Sequence, residues 1–155
     1  MDSTRRSLFL AVPMLTASAA FADTLPLKSF AEPYDQLPVK TNGKNQSRPI
    51  LDGMTHSGDH LEVHETTLAP GSSPHPPHQH EHEELFLMMK GTLAVTIEGK
   101  TTVIGQGAAA FMHSGELHGV RNPGTEDTQY FVVATGVSKT KPSAPVSSPR
   151  GQEGA

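Results

Sequence analysis

The sequence has 155 residues, which is enough for one domain with a substantial core and short for two. Its net charge of −4 and its lack of a basic cluster argue against nucleic acid as a partner. It contains no cysteine, which excludes a disulfide framework and a thiolate metal site. Thirteen prolines and fourteen glycines separate short apolar runs, and this many turn residues predict an all-β domain.

The first 22 residues have the pattern of a secretory signal peptide. Arg5-Arg6 precede an apolar run over residues 8–20, and Ala20-Phe21-Ala22 provides a small-x-small cleavage site. Polar residues within the run disfavour the alternative of a permanent membrane anchor. The paired arginines also resemble a twin-arginine export motif. We therefore expect a protein that is exported, to the periplasm or beyond, and has no membrane partner once the signal is cleaved.

The remaining chain divides into an arm, a barrel and a tail. Residues 23–56 are rich in proline, asparagine, glycine and lysine, and we expect an N-terminal arm able to add an edge strand. Residues 57–137 carry the predicted barrel. Its strands are expected at residues 61–68, 84–89, 92–98, 101–104, 108–112, 118–121 and 129–137. Residues 138–155 are almost without apolar side chains, a composition that predicts a disordered C-terminal tail.

The strand over residues 84–89 is apolar on both faces, so both faces need cover. One face can point into the barrel. The other, formed by Leu85, Leu87 and Met89, predicts a homodimer contact.

The segment before this strand is dense in metal-binding side chains. In an extended chain alternate side chains share a face, so His78 and His80 can point to the same side, and Glu84 has the same parity. Two imidazoles and a carboxylate converging on one point form a good site for a divalent transition metal.

Two separate segments resemble the two signature motifs of the cupin superfamily. The first motif is matched by Gly71, His78, His80, Glu84 and Gly91, with one extra residue between Gly71 and His78. The second motif is matched by Gly107, Gly115, His118 and Asn122, with His113 in place of the usual proline. The resemblance covers roughly residues 61–137.

This resemblance implies a double-stranded β-helix, or jelly-roll barrel, in which His78, His80, Glu84 and His118 bind one metal ion. The alternative is a histidine-rich surface loop that collects metal nonspecifically. His75, His82 and Glu83 flank the motif without matching it, and we interpret them as solvated loop residues or as partners that orient the ligands.

Two further residues are candidates for catalysis. His113 could act as a general acid or base near a substrate, and a satisfied turn histidine is the alternative. Tyr130 could offer its phenol to a substrate, and a core aromatic residue is the alternative.

Three neutral imidazoles and one carboxylate leave a divalent ion with a net charge of about +1 and with open positions for a bidentate oxygen ligand. Copper and zinc bind most tightly when metals compete freely, whereas loading before export allows metals that bind more weakly, such as manganese and iron. We therefore expect one divalent transition metal per chain, with manganese or iron favoured and zinc, nickel or copper as alternatives.

Three functions remain open. The resemblance implies enzymes such as dioxygenases, decarboxylases, isomerases and lyases, and the fold does not choose among them. The first function is a small metalloenzyme, dioxygenase-like or related, acting on a small oxygen-rich or aromatic molecule. The second is a non-catalytic cupin module that binds a ligand or a metal. The third is a structural domain that the metal only stabilises.

Overall fold

The computed structural model describes residues 25–137, so the predicted signal peptide and the predicted disordered tail lie outside the described residues. A turn of 3-10 helix at Tyr34–Gln36 precedes the strands. The strands are β1 (Lys40–Asn42), β2 (Asn45–Met54), β3 (Asp59–Leu68), β4 (Glu83–Lys90), β5 (Thr92–Ile97), β6 (Lys100–Gly105), β7 (Ala109–Met112), β8 (His118–Arg121) and β9 (Thr128–Val137). No helix between residues 25 and 137 is long and apolar enough to cross a membrane.

The strands form two antiparallel sheets. One sheet has six strands in the order β1-β2-β3-β9-β4-β7, and the other has three in the order β6-β5-β8. One buried apolar cluster contains Leu68, Phe86, Met88, Leu93, Val95, Met112, Val120, Tyr130 and Val132. Because both sheets contribute to this cluster, they face each other across a shared core. The all-β fold class predicted from the sequence is confirmed.

The strands predicted beyond residue 60 agree with β3 to β9 to within two residues at each end. Alternation explains the agreement: Leu93 and Val95 of β5 point into the core, with less buried residues between them. In β4, Phe86 and Met88 are buried while Leu87 is exposed on the opposite face. That strand therefore has an inner and an outer apolar face, as its composition predicts.

The N-terminal arm contributes more to the sheet than an edge strand. β2 pairs with β3 from Gln46 opposite Thr67 to Met54 opposite His60, and β1 pairs with the other side of β2 over Asn45 to Ser47. The ladder shifts register between Pro49 and Leu51. Proline has no backbone N–H for the ladder, so it favours such an irregularity. This break interrupts the alternating pattern, which is why the sequence indicates an arm where the structure has an interior strand.

Arg48 holds the segment before β1 against the sheet. Its Nη1 donates to the Leu37 carbonyl oxygen at 3.2 Å, and its guanidinium carbon lies 4.5 Å from the centre of the Tyr34 ring. Its Nε is 3.9 Å from Glu65 Oε2, a carboxylate oxygen that is buried. One cation therefore links the arm, β2 and β3.

Gly91 joins β4 to β5 in a conformation that only glycine adopts freely. Its φ is +73°, and a Cβ there would lie 2.5 Å from Thr128 Oγ1 and 3.0 Å from the Asp127 carbonyl oxygen. The Thr128 hydroxyl cannot withdraw freely, because it donates to the Thr92 carbonyl oxygen at 2.6 Å. We expect Gly91→Ala to lower the free energy of unfolding by about 3 kcal/mol, measured by urea denaturation.

Gly99→Ala is the matched control. Gly99 has a similar φ of +79°, but nothing lies within 4 Å of the added Cβ. Only the backbone penalty of about 1 kcal/mol should remain. Equal losses in the two variants would show that the close approach to Thr128 is not the cause.

Candidate metal centre

Backbone pairing brings the four candidate ligands together. His78 and His118 exchange two backbone hydrogen bonds of 2.9 Å, which dock the loop before β4 on the start of β8. The Gly115 N–H donates to the His80 carbonyl oxygen at 2.8 Å and ties the same loop to the turn before β8. Glu84 is the second residue of β4. The ends of β4 and β8 and the loop between His78 and His80 therefore meet at one point.

The side chains of His78, His80 and His118 form a compact triangle. Their ring centroids are separated by 5.1, 4.9 and 4.7 Å. One ring nitrogen of each histidine lies within 4.8 Å of the other two. Glu84 Oε2 is 3.4 Å from Nε2 of His80 and 3.4 Å from Nε2 of His118. His78, His80 and His118 thus form one cluster that can hold a metal ion, and the Glu84 carboxylate lies beside His80 and His118.

Two of these histidines direct unpaired nitrogens at the Glu84 carboxylate. Nδ1 of His80 is 2.8 Å from the His82 carbonyl oxygen, and Nδ1 of His118 is 2.9 Å from the Glu116 carbonyl oxygen. Because a carbonyl only accepts, Nδ1 carries a proton in both rings, and the neutral form of each ring presents a lone pair at Nε2. Both Nε2 atoms are buried and make no hydrogen bond.

In the neutral rings, lone pairs that face a carboxylate oxygen repel it unless a metal ion or a proton lies between them. An unsatisfied buried polar group costs about 1–3 kcal/mol, so this arrangement is unfavourable without a partner. A divalent ion would accept electron density from both imidazoles and from Glu84. The residues present therefore fit the metal that the cupin resemblance implies.

His78 is held in the neutral form that a metal ligand needs. Burial lowers its pKa below the ordinary value of 6.5, and repulsion from His75, His118 and His80 lowers it further. The Glu84 carboxylate opposes this shift without cancelling it.

We expect the metal-free protein to lose stability as the pH falls below about 6.5, in part through His78. The unfolded chain takes up the proton at the ordinary pKa, whereas the lowered pKa delays protonation in the folded state. The unfolded state therefore binds more protons in this window and becomes favoured as the pH falls. With metal removed by a chelator, His78→Gln should lose less melting temperature than the wild type between about pH 7 and pH 5. An equal or larger loss in the variant would contradict this assignment.

A cavity of about 250 Å³ opens beside the cluster. Glu84 and His118 form part of its wall. The β1–β2 hairpin contributes polar residues, namely Asn42, Asn45, Gln46 and Ser47. The other lining residues are His64, Thr66, Pro74, His75, Phe86, Gly119, Val120, Tyr130 and Val132. The centre therefore adjoins a space that is lined by amide and hydroxyl groups as well as by apolar groups.

Tyr130 lines this cavity from within the core. It is almost fully buried, and its ring centroid is 5.2 Å from that of Phe86. Burial raises the pKa of its phenol far above the ordinary value, the Glu84 and Glu65 carboxylates raise it further, and a hydrogen bond with Thr66 opposes the shift. The phenol therefore stays protonated and can donate a hydrogen bond into the cavity.

His113 lies elsewhere. Its side chain is 61% exposed, its Nε2 is 3.1 Å from Glu116 Oε1, and its Nδ1 is 2.8 Å from the Ser114 carbonyl oxygen. It is not among the residues that line the cavity. The structure brings Tyr130 to the cavity and places His113 in a surface turn with its own carboxylate partner.

Sequence reasoning assigned no site role to the β1–β2 hairpin, and it left the histidines around the motif as loop residues or ligand partners. The His75 ring lies 4.2 Å from the His78 ring, edge to face, and the His82 ring stacks on the His80 ring at 3.6 Å. The alternation that selects His78, His80 and Glu84 also includes His82. The sequence therefore already indicated that His82 could lie on the same face as these ligands.

Comparison with known proteins agrees with the sequence motifs. Residues 64–134 match the family model described as Cupin domain. The chain is 34% identical over 121 residues to auxin-binding protein 1 of Arabidopsis thaliana, a match that covers 65% of this chain and 61% of the relative. The matched region thus spans 61% of the length of that curated relative.

Two solved structures share the fold. The polyketide cyclase RemF from Streptomyces resistomycificus has a TM-score of 0.60 and 22% identity, covering 70% of this chain and 80% of that chain. A predicted oxalate decarboxylase from Thermotoga maritima has a TM-score of 0.60 and 21% identity, covering 68% of this chain and 97% of that chain. At such identities the likeness establishes the fold and leaves the activity open. The domain match over residues 64–134 and the shared fold therefore support a small single-domain cupin in this region, in agreement with the two motifs.

Proposed function

We propose that this protein is an exported cupin metalloenzyme that acts on a small oxygen-rich or aromatic molecule at a centre of His78, His80, Glu84 and His118. The pair of buried Nε2 atoms without hydrogen-bond partners, each 3.4 Å from Glu84 Oε2, carries the proposal. The centre would hold one divalent transition metal, with manganese or iron first and zinc, nickel or copper as alternatives.

The bound ion would supply a Lewis acid and, if it is redox active, a site for dioxygen. The chain itself supplies the binding space. Among the residues that line the cavity, Asn42 and Gln46 offer amides to the oxygens of a hydroxy acid or catechol, and Phe86 and Val132 offer apolar contacts to an aromatic ring. The protonated phenol of Tyr130 can orient a substrate oxygen by donating a hydrogen bond.

The reaction class we favour is a dioxygenase-type oxidation, with decarboxylation, isomerisation and lyase chemistry as related possibilities. Fold likeness to proteins named as a cyclase and as a predicted oxalate decarboxylase supports an enzyme and selects no reaction.

A non-catalytic binding module is the second candidate. The curated relative is named as a binding protein, auxin-binding protein 1, and its similarity to this chain favours this alternative. In that case the same cavity would hold a small ligand against the metal without converting it.

We also propose that the protein reaches the periplasm by the twin-arginine route and forms a homodimer through the outer face of β4. Arg5-Arg6 and the cleavage site after Ala22 support export. Exposed Leu87 of β4 and exposed Phe111 of β7, which pairs with Leu85, support a dimer. A monomeric mass in sedimentation at micromolar concentration would contradict the dimer.

Oxygen uptake and product analysis test the proposed activity. The mature protein, loaded in turn with iron(II) and manganese(II), is incubated with catechols, hydroxy acids and enediols, and Glu84→Gln serves as the matched control. Turnover in the wild type alone supports the enzyme. Stoichiometric binding of one of these compounds without turnover supports the binding module instead.

A further inference from the structure

His82 lies outside the four-residue centre but contacts its carboxylate. Its Nε2 is 3.5 Å from Glu84 Oε1, whereas the other carboxylate oxygen, Oε2, faces His80 and His118. Its ring stacks on the His80 ring with an angle of 5° between the planes. One donor atom from each of His80, His82 and Glu84 lies within 4.8 Å of the others. This second set shares His80 and Glu84 with the four-residue centre.

The two sets differ in exposure. The His82 side chain is 41% exposed, whereas His118 is 2% exposed and Glu84 lies between them at 13%. An ion that arrives from solvent carries a water shell, and it can reach the buried nitrogens only if protein ligands replace those waters. The outer set offers such ligands at the surface, and the inner set offers them in the interior.

We propose that His82 and Glu84 form a transfer site through which the metal ion is loaded into the centre. The inference rests on the metal centre proposed above. The ion first binds His82 Nε2 and Glu84 Oε1. It then remains attached to the Glu84 carboxylate while the Nε2 atoms of His80 and His118 replace the imidazole of His82. The transfer would break one imidazole contact and form two.

A transfer site has a distinctive kinetic consequence. It lowers the barrier to uptake and the barrier to release by the same amount, because the ion crosses it in both directions. It leaves the dissociation constant unchanged, because the resident ion is held by the inner ligands. A resident ligand would behave differently, since its loss would weaken binding and speed release.

Metal-loading kinetics test the proposal. The metal-free mature chain is mixed with cobalt(II) alone in a stopped-flow instrument, uptake is followed by the d–d absorption, and release is followed into excess EDTA. His82→Ala and His82→Gln should each slow uptake and release by about tenfold and leave the dissociation constant within about twofold. His113→Ala is the matched control, because His113 is also an exposed histidine beside a glutamate, at 3.1 Å from Glu116. It should keep wild-type rates.

Each other outcome overturns the proposal. Wild-type rates in both His82 variants would show that the ion does not pass through His82. Weaker binding with faster release would make His82 a resident ligand or a support for Glu84. If the wild type bound no cobalt(II), the proposed function would fail as well, whereas unchanged variant rates with normal wild-type binding would overturn the transfer site alone.

Discussion

Replacing His118 with asparagine is expected to weaken metal binding by more than about 100-fold and to leave the metal-free fold intact. Loss of a group that merely orients a ligand already costs about 10–100-fold in affinity, so loss of the ligand itself should cost more. The asparagine amide can still donate to the Glu116 carbonyl oxygen, which accepts from His118 Nδ1 at 2.9 Å. The backbone bonds to His78 also remain, because they do not involve the side chain.

Two measurements separate the metal effect from a folding effect. Competition with a chromophoric chelator gives the affinity, and urea denaturation of the metal-free proteins gives the stability. We expect the free energy of unfolding to change by less than about 1 kcal/mol. Removing a buried nitrogen without a partner stabilises the fold, and the loss of some packing offsets this gain. His113→Asn, made in the exposed turn, should keep the wild-type affinity. Equal affinities for His118→Asn and the wild type would exclude His118 as a ligand.

Replacing Asn122 with alanine is expected to lower the free energy of unfolding by about 3 kcal/mol or more. The buried Asn122 amide donates to the carbonyl oxygens of Leu68 and Glu126 at 2.9 and 2.8 Å, and it accepts from the Gly124 N–H at 2.9 Å. Alanine would leave these groups without their partner where water has little access. Urea denaturation measures the loss.

Arg121→Ala is the control for this variant. Arg121 precedes Asn122, is exposed, and makes a single side-chain hydrogen bond of 3.3 Å to the Gly71 carbonyl oxygen. Its replacement should change stability by about 0.5 kcal/mol at most. A comparable loss in the two variants would show that the buried amide is not what stabilises this turn.

Asn122 illustrates what a motif can and cannot predict. The cupin resemblance marks the position without giving a reason for asparagine there. The structure gives the reason: the amide connects the end of β3 to the turn between β8 and β9 through bonds to residues 54 positions upstream and 4 positions downstream. No local pattern contains a contact of that sequence separation.

The barrel strands were predictable because each carries its own signal. Leu93 and Val95 alternate with less buried residues, and glycines at positions 91 and 99 mark the turns on either side. β2 has no such signal, because Pro49 breaks its ladder and its partner β3 decides its position. Tertiary pairing, and not local preference, makes it an interior strand.

The same distinction holds at the site. His78, His80, Glu84 and His118 could be selected from spacing and resemblance. The cavity wall formed by Asn42 and the residues after it could not, since it depends on a hairpin that lies more than 30 residues before the first ligand, His78. His113 belongs to the second motif in sequence, yet the turn leaves it exposed at the surface, with Glu116 Oε1 at 3.1 Å from its Nε2 and outside the residues that line the cavity.

The metal content of the purified mature protein tests the central claim most directly. Elemental analysis of protein from its native export route is compared with that of a His80→Ala, Glu84→Ala double variant. We predict one tightly bound divalent transition-metal ion per chain in the wild type and none in the variant. A wild type without metal, or equal metal content in the two proteins, would contradict the claim that these side chains form a metal centre.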